Sequence, residues 1–333
     1  MSTARPGSMM PCLRRIAAAL LGLSIVPVAP FDALANCKPK KPRPTIVLRT
    51  MGPCAFDAER LSFAGDPAQQ AACLTRPVAK LGKLGPVPEA LPAVLAERVG
   101  QADKLPPREA LAAHLGEQGL AFDFAAFLWQ PLARARDNDP AAPEARYLVI
   151  HDTSGPFLGF TPFPRDIDIH RKINNLAGHR CADGWNSAHV IINRSGGMLL
   201  GHELSVPWRA TKFERAVGFA GALKGLFLHV ELIQPRRGRG GTIAPVPGFT
   251  REQYDRLALV YVIASVRAGQ WIIPATHAVI DNHIRNGHDD PQNFELASFA
   301  DSLERLAARL RALDEPLVST APPDPQASGR DYD

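Results

Sequence analysis

The chain has 333 residues, with 38 Lys and Arg against 33 Asp and Glu and a formal net charge of +5. This length is enough to bury a full hydrophobic core and to form one large domain or two. The mild positive charge suits a negatively charged partner. The sequence lacks the basic runs with interleaved aromatic residues that nucleic-acid binders carry, so we expect no nucleic-acid partner.

Residues 1–35 have the layout of a secretory signal peptide. Three arginines precede an apolar run over 16–28, and Ala33-Leu34-Ala35 places small residues where a signal peptidase cleaves. The run is too short to span a membrane comfortably and is broken by Pro27. We therefore expect cleavage after Ala35, export to the periplasm or the medium, and no stable membrane anchor.

Two other export routes stay open at this stage. The Arg14-Arg15 pair is compatible with a twin-arginine signal, although the flanking residues match that signal poorly. The segment 34–37 is similar to a lipoprotein cleavage site, with Asn36 where a small residue is expected.

Export changes the interpretation of the cysteines. Cleavage leaves four of them, at Cys37, Cys54, Cys73 and Cys181. In an oxidising compartment four cysteines allow three disulfide pairings. We favour Cys54 with Cys73, because these two bracket one short segment. No CxxC pair occurs, which argues against a zinc site built from cysteines.

Residues 36–145 are predicted to form a mostly helical region of unknown role. The region opens with a Lys- and Pro-rich lead-in over 36–50. Apolar residues then recur at helical spacing in three ranges, 89–99, 108–118 and 122–133. Turn-forming residues without apolar spacing fill 137–143, which we interpret as the linker to the next region.

Residues 146–315 alternate strands with helices. Strand patterns cover five ranges: 146–151, 188–193, 198–202, 226–233 and 271–273. Helices are predicted over 250–268, with Thr250 and Gln253 forming a capping box and Gly269 ending the helix, and over 294–313. This pattern predicts an α/β domain with a central mixed β-sheet flanked by helices. The Pro-rich tail 316–333 predicts disorder.

Three residues at element ends are candidates for a catalytic zinc site. His151 and His277 each follow a short apolar strand, and Asp290 precedes Pro291 in a polar loop. Imidazole and carboxylate groups from separate loops are what such a site uses. A single histidine at a strand end is more often a hydrogen-bonded structural residue, and Asp289 and His283 are rival ligands in the same loop.

Several segments, in this order, resemble the type-2 N-acetylmuramoyl-L-alanine amidases, a family that includes the peptidoglycan recognition proteins and phage lysozyme amidases. The matching segments are 148–154 (LVIHDTS), 187–196 (SAHVIINRSG), 207–210 (PWRA), 228–232 (LHVEL), 276–277 (TH) and 289–291 (DDP). They lie within residues 146–300, which is under half of the chain.

The resemblance implies zinc bound by His151, His277 and Asp290, with Glu231 as the general base. His288 stands where the family often has a lysine that stabilises the oxyanion. The substrate contacts it implies lie at His189, Trp208 and Arg209. The implied reaction is hydrolysis of the amide between N-acetylmuramic acid and L-alanine in peptidoglycan or muropeptides.

Departures from the family pattern leave alternatives open. Arg209 replaces a histidine, Gln292 replaces a glycine, and the loop between His277 and Asp290 is longer than expected. Glu231 could instead be held in a salt bridge, and Trp208 could be a buried core residue. At the level of function, the alternatives are a non-catalytic peptidoglycan-binding or sensing protein and a zinc hydrolase of another amide. The sequence does not indicate an oligomeric state.

Overall fold

Strands and helices are described here from a computed structural model that covers residues 45–47, 54–120, 124–158, 162–181, 187–237 and 248–314. The predicted signal peptide, Cys37 and the predicted tail lie outside these residues. The covered ranges all belong to one compact unit of the chain.

The first region contains a two-stranded hairpin and four helices. They are β1 (Phe56–Asp57), β2 (Ser62–Phe63), α1 (Pro67–Leu74), α2 (Ala93–Ala96), α3 (Arg108–Glu117) and α4 (Ala135–Asn138). The helix predicted over 108–118 is confirmed as α3. The range 89–99 contains only the short α2, and the described part of 122–133 contains only a 3-10 turn at Ala125–Phe127. Pro131 prevents a continuous helix there, so its apolar residues are buried from an irregular segment.

Five strands of the second region form one mixed sheet. They are β3 (Tyr147–Asp152), β4 (Val190–Ile192), β5 (Met198–Leu200), β6 (Phe227–Leu232) and β7 (Ile273–Thr276), in the order β5-β4-β6-β3-β7. Only β5 runs antiparallel to its neighbour, and the other pairs are parallel. The expected α/β architecture with a central mixed sheet is therefore confirmed.

Three helices complete this region: α5 (Arg251–Ala268), α6 (His277–Ile280) and α7 (Leu296–Asp314). The predicted ends of α5 are confirmed, because Thr250 and Gln253 form the capping box and Gly269 closes the helix at φ +69°. The strand expected over 271–273 is displaced to β7, since Trp271 and Ile272 pack into the core before the strand begins.

The first region packs into the same hydrophobic core as the sheet. At its centre, the buried Tyr147 hydroxyl accepts a hydrogen bond from the Phe63 N–H (3.0 Å) and donates one to Gln70 Oε1 (2.8 Å). Nearer the C-terminal edge of the sheet, the Thr276 hydroxyl donates to the Leu74 carbonyl (3.2 Å). Residues 54–85 thus support the end of β7, where the candidate site lies.

The first residue of the predicted linker 137–143 and the residue before it are hydrogen-bonded to the second region. The Arg136 N–H donates to the Ala222 carbonyl (3.0 Å), and the Asp137 N–H donates to the Lys224 carbonyl (2.9 Å). The backbones of the two segments come very close at Gly225, where φ is +94°. A Cβ atom at this position would lie 2.0 Å from the Arg134 carbonyl oxygen.

The disulfide between Cys54 and Cys73 is confirmed. Its Cα atoms lie 5.8 Å apart, and it ties the start of the β1–β2 hairpin to α1. Cys181 is disulfide-bonded as well. A search of the described helices finds none that is both long enough and apolar enough to cross a membrane.

Replacing Tyr147 with Phe tests the connection between the two regions. The change leaves the buried Phe63 N–H without its acceptor, so the free energy of unfolding should fall by about 1–3 kcal/mol. Urea denaturation at constant metal content measures this loss. An unchanged midpoint would contradict the view that this hydroxyl joins the hairpin to the sheet.

Candidate metal centre

The three predicted ligands come together at one edge of the sheet. His151 lies near the end of β3 and His277 directly follows β7; these strands are parallel neighbours, so their carboxyl ends meet. The His151 Nδ1 and His277 Nδ1 atoms are 2.8 Å apart. Asp290 Oδ2 lies 3.0 Å from His277 Nδ1 and 3.7 Å from His151 Nδ1. The three side chains are buried and form a group that could hold a metal ion.

When no metal is bound, the neighbouring charges keep His277 in its protonated, positively charged form. Burial lowers the pKa of His277, but the carboxylates of Asp290 and Asp281 outweigh burial and raise it to about 10. Burial and the neighbouring His277 charge hold the pKa of His151 well below its ordinary value. The charge of His277 also overcomes burial at Asp290, whose pKa is lowered. Metal binding must therefore displace one proton.

The rival ligands of the same loop have other contacts. Asp289 lies 3.4 Å from the Arg236 guanidinium and accepts a hydrogen bond from Gln292 Nε2 (2.7 Å). His283 is buried, with its ring centre 5.5 Å from that of Phe213. Asp290 is thus the member of the loop that joins the two histidines.

Glu231 lies on the same face of the sheet as His151. The two residues are direct partners in the parallel pairing of β3 with β6, so their side chains leave the sheet on the same side. The Ser187 hydroxyl donates a hydrogen bond to Glu231 Oε2. The carboxylate is half-buried at the end of β6.

His288 lies beside the metal group and is partly exposed. Its Nδ1 is 2.9 Å from His277 Nε2. Burial and the charge of His277 lower the pKa of His288, so at neutral pH its imidazole is neutral and can donate one hydrogen bond. Lys212, whose ammonium donates to the Asn286 carbonyl, is a nearby cation that the sequence interpretation missed.

The three predicted substrate contacts differ in accessibility. Trp208 is half-buried, its ring stacks on that of His202 at 4.0 Å, and its Nε1–H donates to the Ser187 carbonyl (3.3 Å). Arg209 is half-buried, and its carbonyl accepts from Arg215 Nη2 (2.5 Å).

His189 occupies a different environment from the other two. It is fully buried, its Nδ1 accepts from the His229 N–H (3.0 Å), and its Nε2 lies 3.1 Å from the Val206 carbonyl. With both ring nitrogens taken up by the backbone, His189 supports the sheet and presents no surface to a substrate.

Behind the ligands lie three fully buried groups that the sequence interpretation missed: His229, Glu214 and Asp281. Asp281 follows His277 by four residues, which is one helical turn, and that spacing is a signal that could have found it. His229 lies two residues before Glu231 along β6, so both side chains are on the face of the metal group. Glu214 lies in a 3-10 turn far from the other residues in sequence, with no comparable signal.

Comparison of the chain with family models, with curated proteins and with solved structures gives no match. The sequence motifs and the geometry of the site are therefore the grounds on which a function is inferred.

Metal content tests the site directly. We expect the purified protein to bind about one divalent metal ion per chain, and a His151→Ala, His277→Ala double variant to bind none at the same concentration, because two of three ligands are gone. Elemental analysis after dialysis measures both. Full occupancy of the double variant would place the metal elsewhere.

The pH dependence of metal affinity provides a separate test. His277, with a metal-free pKa of about 10, carries its proton throughout the range from pH 6 to 8. A metal ion that displaces one proton should bind about tenfold more tightly for each pH unit gained. Calorimetry in buffers of different ionisation enthalpy should show release of about one proton. Affinity independent of pH would mean that His277 is already neutral.

Proposed function

We propose that the protein is a zinc-dependent amidase that hydrolyses the bond between N-acetylmuramic acid and L-alanine in peptidoglycan or muropeptides. The observation that carries this proposal is the convergence of His151, His277 and Asp290 beside Glu231. All four belong to segments that resemble the type-2 amidases, and they are widely separated in sequence.

The donor set supports zinc as the metal. Two imidazoles and one carboxylate are a common set of protein ligands in catalytic zinc sites, which keep a further position open. Ligand atoms on one tetrahedral zinc lie about 3.3 Å apart, given bond lengths of about 2.0–2.1 Å. The three separations of 2.8, 3.0 and 3.7 Å lie on both sides of that value. The residues present therefore fit zinc.

The chain's own groups supply the proton transfers. Zinc, when bound, polarises an amide carbonyl and lowers the pKa of water. Glu231 accepts a proton from the attacking water and delivers it to the amide nitrogen as the C–N bond breaks. The hydrogen bond from the Ser187 hydroxyl to Oε2 orients the carboxylate. His288, as a neutral imidazole, donates a hydrogen bond to the carbonyl oxygen.

Aromatic side chains near Glu231 support a substrate that contains a sugar ring. Trp208 and His202 form a stacked aromatic pair, and Trp208 reaches Glu231 through both polar groups of Ser187. An aromatic face with a polar edge packs against a sugar ring while its N–H keeps a hydrogen bond. The aromatic pair beside the proposed base therefore supports muramic acid as part of the substrate.

Replacing Glu231 with Gln separates an enzyme from a binding protein. The variant keeps the shape of the site but cannot take up a proton, so release of stem peptide should fall on the order of 10²- to 10⁴-fold. Zinc content and retention of muropeptide should stay close to those of the wild type. Mass spectrometry of products from purified peptidoglycan, with and without a chelator, measures the rate.

Glu304→Gln is the matched control, because this glutamate is exposed on α7. It should cleave at the wild-type rate. Wild-type cleavage by Glu231→Gln would move the base to another residue. If the wild type binds peptidoglycan but releases no peptide from any form tested, the non-catalytic binding function replaces the amidase.

A further inference from the structure

Both histidines of the metal group turn the same nitrogen toward it. The Nδ1 atoms of His151 and His277 face each other and Asp290 Oδ2. His151 Nε2 contacts the buried His229 Nδ1 at 3.0 Å, and His277 Nε2 contacts the buried Asp281 Oδ2 at 3.2 Å and the more exposed His288 Nδ1 at 2.9 Å. A neutral imidazole carries its hydrogen on one nitrogen only, so whatever Nε2 contacts decides whether Nδ1 has a lone pair for a metal.

Behind His277, Asp281 requires a hydrogen on Nε2. Asp281 is fully buried, its Oδ1 accepts from the Phe213 N–H (2.9 Å), and its Oδ2 accepts from the His288 N–H (3.2 Å). An ionised carboxylate only accepts hydrogen bonds. His277 Nε2 must therefore be the donor, which leaves the Nδ1 lone pair for the metal.

Behind His151, His229 and Glu214 together require a hydrogen on Nε2 as well. Glu214 is fully buried, and its Oε2 accepts from both the N–H and the hydroxyl of Thr211 (2.9 Å each). His229 Nε2 lies 3.3 Å from that oxygen, a close contact that is bent away from an ideal hydrogen bond. With Nε2–H turned to Glu214, His229 Nδ1 is an acceptor, so His151 Nε2 donates to it.

We propose that Asp281, and Glu214 acting through His229, are positioning residues that fix both metal-binding histidines in the Nε2–H form. This inference rests on the metal site of the proposed function but not on its substrate or reaction. These two buried carboxylates, one behind each histidine, also add negative charge that favours a divalent cation over an empty site.

A different arrangement of the same residues makes a distinct prediction. His277, Asp281 and His288 also form a group that could hold a metal ion, in which His277 would bridge two ions. The contacts of Asp281 favour the positioning role, because two backbone N–H groups already occupy its oxygens. A stoichiometry of two ions per chain would overturn that role.

Zinc affinity, measured by competition with a chelator, tests the proposal. Glu214→Gln and Asp281→Asn should each weaken zinc binding about 10- to 100-fold, as loss of such outer contacts typically does. Glu203→Gln is the control, because it removes a partly buried carboxylate whose partners are the Arg267 guanidinium and the Ser205 N–H rather than a histidine of the metal group. It should keep wild-type affinity. Wild-type affinity in both Glu214→Gln and Asp281→Asn would overturn the proposal.

Side-chain ¹H–¹⁵N NMR of the zinc-loaded wild type gives a readout that does not depend on the variants folding. His151 and His277 should each show a protonated Nε2 and a coordinated Nδ1. Coordination through Nε2 in either histidine would overturn the proposal. If these signals and affinities are as expected but peptidoglycan is not cleaved, the proposed reaction fails and the positioning role stands.

Discussion

The parallel pairing of β3 with β6 and β7 is the constraint on which the site depends. It sets Ile150 beside Thr276 and His151 beside Glu231, so that His277, which follows β7, lies next to His151 near the end of β3. Because side chains alternate along a strand, a slip of one residue would turn His151 to the opposite face. Buried apolar residues on both sides of β3 make such a slip unfavourable.

Burial gives this edge of the sheet its chemistry. Three carboxylates, on Asp290, Asp281 and Glu214, are withdrawn from water within a cluster of imidazoles. Ionised groups in such surroundings are costly unless positive charge compensates them. A proton on His277 supplies part of the positive charge that compensates these carboxylates. A divalent cation bound by His151, His277 and Asp290 would supply more. In the proposed metal centre, a bound cation would take the place of this proton.

The first region contributes rigidity at the loop that carries Asp290. The Leu81 N–H donates to Gln292 Oε1 (3.0 Å), and the Asn293 N–H donates to the Val78 carbonyl (3.0 Å). Contact is close enough that a Cβ on Gly82 would lie 2.7 Å from Asp289. A ligand held in a long loop needs such support, because a displacement of 1 Å is enough to spoil coordination.

The sequence was sufficient for four of the five strands of the sheet and for the two candidate histidine ligands at strand ends, because apolar runs and the polar residue after each run are local features. It also contained unused signals, such as Asp66 and Gln69, which form the capping box of the missed helix α1. Other features depend on tertiary contact. The alternation of side chains predicts the face of the sheet on which His189 lies but not how deeply it is buried. No local feature of the sequence indicates the contact between Glu214 and His229. Such residues become visible only when the strands are assembled.

X-ray absorption at the zinc edge, on protein loaded with one equivalent of zinc, identifies the ligands of the proposed metal centre. We expect a first shell of nitrogen and oxygen only, with the outer-shell scattering of two imidazole rings, from His151 and His277. Sulfur in the first shell, or a spectrum without imidazole scattering, would contradict a metal centre at this edge of the sheet.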